Sequence, residues 1–174
     1  MTIVAERLRG AGIAYMVTGS IAMNHYAVPR MTRDIDLVAE LSTADADRVC
    51  DLFDDDFYID RDAVRHAVET RGVFNMIHAA LVVKVDVVVR KETEYRRTEF
   101  ARRRRVVIEG QELFLVSPED LILSKLDWAR ESRSAVQLAD VRNLVESVAD
   151  LDREYLAEWT RRLGLDALYR EATQ

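Results

Sequence analysis

The sequence predicts an α/β (α+β) protein, a mixed β-sheet flanked by helices with a helical C-terminal part. Short apolar runs rich in Val and Ile alternate with helix-like stretches as far as Val116. From Ser117 onward only helical patterns remain. The 174 residues, 49% hydrophobic and 32% charged, suffice for one well-buried core and exclude a largely disordered chain. The shift in pattern divides the chain into an α/β domain over 1–116 and a helical subdomain over 117–174.

Residues 2–9 read as a short amphipathic helix ended by Gly10 and Gly12. A strand over Ile13–Val17 leads into a helix over Ser20–Ala27, which Pro29 stops. Asp34–Ala39 is a strand, and Ser42 with Asp45 makes a capping-box-like start to a helix reaching Phe53. Residues 62–70 suit another helix. Val73–His78 and Leu81–Val89 form two strands joined tightly around Ala79-Ala80. Thr93–Arg102 is helical, and Val106–Ile108 with Leu113–Val116 flank a hairpin turn at Glu109-Gly110-Gln111-Glu112. Ser117-Pro118-Glu119-Asp120 is a strong helix start, with a serine cap, proline at the first position and acids in the first turn. Helices follow over 118–131, 135–149 and 153–162, with a short one after Gly164.

The stretch most informative for chemistry is Thr18–Leu37, TGSIAMNHYAVPRMTRDIDL. Strand geometry puts Asp34 and Asp36 on one face, joined by Arg30 and Thr32 if the strand starts early. Two carboxylates so placed repel unless a cation sits between them. Their hard oxygens suit Mg²⁺, which binds through one or two carboxylates plus substrate phosphates. Gly19-Ser20 at a strand-to-helix turn adds a phosphate cradle: close backbone approach, a helix N-terminus and a hydroxyl. Ser20 as a plain N-cap uses the same geometry. Together these features imply phosphoryl chemistry on a nucleotide.

A third acid, Asp86, stands inside VVKVDVVV, a run apolar enough for a buried central strand. A carboxylate there must be paired, metal-bound or protonated. Either Asp86 pairs with Lys84 two residues before it, or it joins Asp34 and Asp36 as a third metal ligand that helps deprotonate an attacking hydroxyl.

These residues resemble the polymerase-β-type nucleotidyltransferase superfamily, through Gly19-Ser20, Asp34-x-Asp36 and Asp86 in that order. Arg30-Met31-Thr32-Arg33-Asp34-Ile35-Asp36, Lys84-Val85-Asp86 and the later Ser-Pro-Glu-Asp…Lys are closer to the abortive-infection AbiEii branch, which includes nucleotidyltransferase toxins of toxin–antitoxin systems. The resemblance spans roughly residues 15–146. It implies a nucleotidyltransferase that uses a nucleoside triphosphate such as ATP with two Mg²⁺ ions, held by Asp34, Asp36 and Asp86. It implies nucleotide contacts from Gly19, Ser20, Arg30, Thr32 and Lys125, and a catalytic set of Asp34, Asp36, Asp86, Lys125 and Asp140. Implied acceptors are a tRNA 3′ end or other RNA, a protein side chain, or an antibiotic-like small molecule; an implied partner is a cognate antitoxin. Ser132-Arg133-Ser134 stands where the family often has an arginine-aspartate pair, a departure that bears on Asp140. Each late residue also has a plainer reading. Lys125 suits a snorkelling lysine beside the apolar positions Leu121, Ile122, Leu126 and Ala129, and Asp140 a solvated acid or a partner of Arg142 or Asn143. A non-catalytic regulatory protein of the same fold is the rival reading, although such forms usually lose an aspartate or the Gly-Ser, and this chain keeps them.

The net charge of −6 argues against nonspecific coating of nucleic acid but leaves room for a basic patch. Arg102–Arg105, with Arg96 and Arg97 before it, is either a solvated face or a phosphate contact. His25, His66 and His78 lack metal-ligand spacing, though His78 precedes the Asp86 strand and suits a cleft-lining place. With Cys50 as the one cysteine, no signal-like N-terminus and no membrane-length apolar run, the expected setting is the cytoplasm, with no membrane partner.

Overall fold

The computed structural model describes the chain except Arg33, Glu109 and Arg133 and the side chain of Glu131. Its elements are α1 (Thr2–Gly10), β1 (Tyr15–Thr18), α2 (Gly19–Tyr26), β2 (Asp34–Ala39), a 3₁₀ turn (Thr43–Asp45), α3 (Ala46–Phe53), β3 (Phe57–Ile59), α4 (Arg61–Thr70), β4 (Val73–His78), β5 (Val83–Val89), α5 (Glu94–Ala101), β6 (Arg104–Ile108), β7 (Gln111–Leu115), α6 (Pro118–Ser132), α7 (Ala135–Ser147), α8 (Arg153–Leu163) and α9 (Asp166–Thr173). They form two compact units: residues 1–21 with 31–116, and residues 22–30 with 117–174. Among the described residues no helix is long and apolar enough to cross a membrane.

The first unit holds one mixed sheet in the order β3-β4-β5-β2-β1-β7-β6. β2 pairs with β5, and β1 with β7, in parallel; the other neighbours are antiparallel. Alternation sorts the central strands into two faces. Ile35, Leu37 and Ala39 of β2, Phe74 and Met76 of β4, and Val85, Val87 and Val89 of β5 are buried. Their neighbours Asp36, Val38, Lys84, Asp86 and Val88 are half-buried, and Asp34, Val73 and Asn75 are exposed. The apolar run around Asp86 predicts a strand buried on both faces. β5 is indeed central, but its 84-86-88 face is only partly covered, which is what lets two charged residues stand in it.

The structure adds and trims elements at points where local chemistry outweighs the apolar pattern. β3 is an extra strand at the sheet edge, only three residues long and too short for a periodic signal. Ile13 and Ala14 lie before β1 rather than in it, and Leu81 and Val82 belong to the β4–β5 turn, where Val82 takes a left-handed φ of 52°. Gln111 and Glu112 pair with Ile108 and Val107. The β6–β7 turn is therefore shorter than expected; Glu109 in it lies outside the described residues. The capping interaction at Ser42 forms, with its amide and hydroxyl both donating to Asp45 Oδ2 at 2.9 and 2.6 Å.

In the second unit, α6 is the central helix and touches α7, α8 and α9. Burial runs from its first turn through Leu126, wider than the one-sided stripe of Leu121, Ile122, Leu126 and Ala129. Its start is tied down by Ser117 Oγ, which accepts from the Asp120 amide and donates to Asp120 Oδ2, and by Tyr155, whose hydroxyl donates to Asp120 Oδ1 at 2.7 Å.

Arg7 fastens α1 to the rest of the first unit. Its guanidinium grips Asp56 through two bonds of 2.6 and 2.8 Å, donates to the Leu52 carbonyl and lies over the Phe53 and Phe57 rings. The bonds from Arg7 hold the Asp56 carboxyl below its ordinary value of 3.8. A carboxyl lowered on folding contributes stability above its unfolded value and loses it as pH falls through the folded one. Asp56→Asn should therefore lower the melting temperature at neutral pH. Melts over a pH series should show the gap from wild type closing only below the ordinary carboxylate range.

Candidate functional site

Register builds the site in the first unit. The parallel pairing of β2 with β5 sets Asp36 opposite Asp86 and Asp34 opposite Lys84. β1 brings Thr18 opposite Asp36, and β4 brings Asn75 opposite Asp86. Paired residues share a face, so Thr18, Asp36, Asp86 and Asn75 form one row across four strands, with Asp34 and Lys84 in the next. The open face thus collects all three predicted carboxylates. Asn75, exposed beside Asp86, escapes sequence reasoning because an isolated asparagine in a strand carries no signal until pairing is known.

Lys84 is already engaged there. Its Nζ donates to Asp86 Oδ2 at 2.8 Å, with the two side chains 43% and 23% exposed. The Lys84 ammonium is held above its ordinary range first by that bond; burial opposes the shift, and the charges of Asp86, Asp34 and Asp36 add to it. The paired reading of Asp86 is thus realised. Among the described residues no three His, Cys, Asp or Glu side chains are gathered tightly enough to hold a metal ion by themselves. The donor chemistry of Asp34 and Asp36, hard oxygens on a partly solvated face where a side-chain cation is already drawn in, fits a divalent ion of the Mg²⁺ class.

Gly19 ties the predicted phosphate turn to the carboxylates. It opens α2 directly after β1 with φ +61°. A Cβ on it would stand 2.6 Å from Asp36 Cγ and 2.9 Å from Asp36 Cβ, well inside contact distance. Sequence reasoning assigns this glycine to close approach of a phosphate; the structure adds that Asp36 itself requires it. α2 begins at Gly19, so Ser20 stands in its first turn rather than at the N-cap. β2 begins at Asp34, so Thr32 does not join the face; its hydroxyl donates to the Asp34 carbonyl at 3.3 Å.

The second unit contains the other predicted residues. Asp140 on α7, buried, accepts from Lys125 Nζ on α6 at 2.6 Å and from Arg30 at 3.2 and 3.1 Å. Lys125 also donates to Gln137 at 3.3 Å. The snorkelling expectation fails, since the Lys125 side chain is 5% exposed and an ammonium so buried needs a counter-ion. The expected Asp140 partners on its own helix give way to Lys125 and Arg30. Arg30 is turned outward, held at its backbone by Asn24 through bonds of 2.8 and 2.9 Å. Lys125 and Arg30 thus both bond the one Asp140 carboxylate.

The remaining candidates stand apart. His78 packs against Phe57, with ring centroids 4.8 Å apart, on the covered face of the sheet and lines no open cleft. Arg103 lies over Phe100 and Phe114, and Arg105 pairs with Glu112, so only part of the arginine run is a solvated face. β6 is the far edge strand, four strand spacings or roughly 19 Å from Asp86.

No protein-family model matches the chain, and no curated relative matches it in sequence. Its structure is similar to that of the antibiotic-resistance factor ANT(2'')-Ia, with TM-score 0.58 and 15% identity over 98% of this chain and 94% of that one. An antigenic nucleotidyltransferase-like protein from Paracoccidioides brasiliensis gives 0.56 and 18% over 97% and 89%. The lincomycin-bound lincosamide antibiotic adenylyltransferase LnuA gives 0.55 and 11% over 81% and 91%. The fold is therefore of the nucleotidyltransferase type, with its mixed sheet and flanking helices.

Two predictions follow from the contacts themselves. Gly19→Ala should cost about 1–2 kcal/mol for the left-handed backbone alone, plus the clash with Asp36. Combining it with Asp36→Gly should cost less than the sum of the single changes, as a double-mutant cycle in urea would measure. Asp140→Ala leaves the buried Lys125 ammonium without its carboxylate and should cost about 3–5 kcal/mol. Lys125→Met should cost less, because Asp140 keeps Arg30.

Proposed function

We propose that this chain moves a nucleoside monophosphate from a nucleoside triphosphate to an acceptor hydroxyl in a Mg²⁺-dependent reaction. The observation that carries this reading is the gathering of Asp34, Asp36 and Asp86 on one open sheet face, with the Gly19 turn against Asp36. Mg²⁺, held by Asp34 and Asp36, would supply charge neutralisation for the phosphates. The amides at the start of α2 and the Ser20 hydroxyl take phosphate oxygens. Asp86 accepts a hydrogen bond from the acceptor hydroxyl and takes its proton as the oxygen attacks the α-phosphorus and pyrophosphate leaves. Lys125 and Arg30, held on Asp140, are the cations to which the family resemblance gives a phosphate-contacting role.

The resemblance to the AbiEii branch favours an RNA acceptor such as a tRNA 3′ end, and with it a toxin-like enzyme partnered by an antitoxin. Exposed Arg104 and Arg105 support it. A second reading, a small hydroxyl-bearing acceptor, draws support from the face beyond Asp86. There Asn75, Tyr58 (70% exposed) and Val73 (55% exposed) present an amide and apolar surface, with no cation among the described residues of β3 and β4 on that face.

Incubation with each labelled nucleoside triphosphate, Mg²⁺ and separate RNA, protein and small-molecule pools tests both. Label should enter one pool and be lost in Asp36→Asn. Asp86→Asn should still bind nucleotide within about tenfold of wild type yet fail to transfer it, the signature of a group acting mainly in the transition state. Transfer at the wild-type rate by Asp36→Asn, or no label in any pool, would overturn the reading and leave the non-catalytic alternative.

A further inference from the structure

Four charged side chains of the β2–β5 ladder, Asp34, Asp36, Lys84 and Asp86, stand at the corners of a quadrilateral. Asp34 faces Lys84 and Asp36 faces Asp86 across the β2–β5 ladder, about 4.8 Å apart at the backbone; along each strand the corners are about 6.6 Å apart. Three corners are carboxylates and one is an ammonium. The ammonium sits on the third carboxylate, with Lys84 Nζ 2.8 Å from Asp86 Oδ2. Charges of Asp34 and Asp36 also bear on it.

We propose that Lys84 is the resident cation of this face, a positioning residue whose ammonium holds Asp86 where a second divalent ion would otherwise sit, so that the protein takes one divalent ion, at Asp34 and Asp36. The inference rests on reading the face as a metal-dependent transfer site. It goes beyond that reading by assigning a role to a lysine and by replacing the expected two ions with one. A tethered ammonium is always present at its carboxylate, whereas a weakly held second ion depends on its concentration in solution. Asp86 is thereby oriented and charge-balanced before substrate arrives. Lysine suits the place because its flexible stem reaches two residues along the strand edge while its head stays partly in water.

Mn²⁺ alone is the probe, titrated into the full nucleotide-free chain while the electron paramagnetic resonance of free Mn²⁺ is followed. Wild type should bind one Mn²⁺ per chain, and Asp36→Asn should lose it. Lys84→Met should bind two, or hold its single ion at least about tenfold more tightly, because a competing cation has gone. Lys84→Arg, which keeps the charge, should behave as wild type. Mn²⁺ should also raise the melting temperature of Lys84→Met more than that of wild type. Lys84 is 43% exposed, so the variant is expected to fold, and Lys84→Gln gives a second neutral form. Two ions in wild type, or one ion at unchanged affinity in both neutral variants, would overturn the inference while leaving the metal reading intact. No Mn²⁺ bound by wild type or the variants would overturn both.

Discussion

The parallel, in-register pairing of β2 with β5 is the constraint on which the first unit depends. It places Asp36 opposite Asp86 and Asp34 opposite Lys84 while Ile35, Leu37 and Ala39 meet Val85, Val87 and Val89 in the core. Both results come from one alternation. A slip of one residue would send the aspartates of β2 to the covered face and its apolar residues to the open one, so burial of the core enforces the register of the site. Gly19 adds a second lock, since its missing side chain makes room for Asp36. The open face tolerates three carboxylates because it is partly solvated and carries its own lysine.

The second unit solves a similar electrostatic problem differently. α6 is buried around most of its circumference over its first turns, and Lys125 is placed inside that zone rather than on a solvated stripe. Asp140 is its counter-ion, and Arg30 reaches the same carboxylate. A buried ion pair of this kind seldom adds stability over a well-packed apolar pair. Contact with a ligand phosphate is the role proposed for Arg30 and Lys125.

Much of this arrangement was legible in the sequence, where the chemistry was local or periodic. The period-2 run of Asp34–Ala39 put two carboxylates on one face, and Ser117-Pro118-Glu119-Asp120 announced α6, because strand alternation and capping act within a few residues. Gly19-Ser20 was placed at the right turn, though one residue late for the helix start. What escaped depends on pairing across the chain. Asn75 acquires meaning only when β4 lies beside β5. Arg30 looked like a neighbour of the aspartates by spacing, yet its partner is Asp140, 110 residues away. The choice between metal and lysine at Asp86 could not be made from VVKVDVVV, because an apolar run does not say which face is covered. β3 was invisible for a simpler reason: three residues cannot display a period.

The most direct measurement of the central claim is an anomalous-scattering map from crystals of the chain soaked in Mn²⁺. It should contain a peak against the carboxylates of Asp34 and Asp36, with Lys84 Nζ still bonded to Asp86. A map with no peak at these aspartates, or with the metal elsewhere on the chain, would contradict the assignment of this sheet face as a divalent-ion site for nucleotidyl transfer.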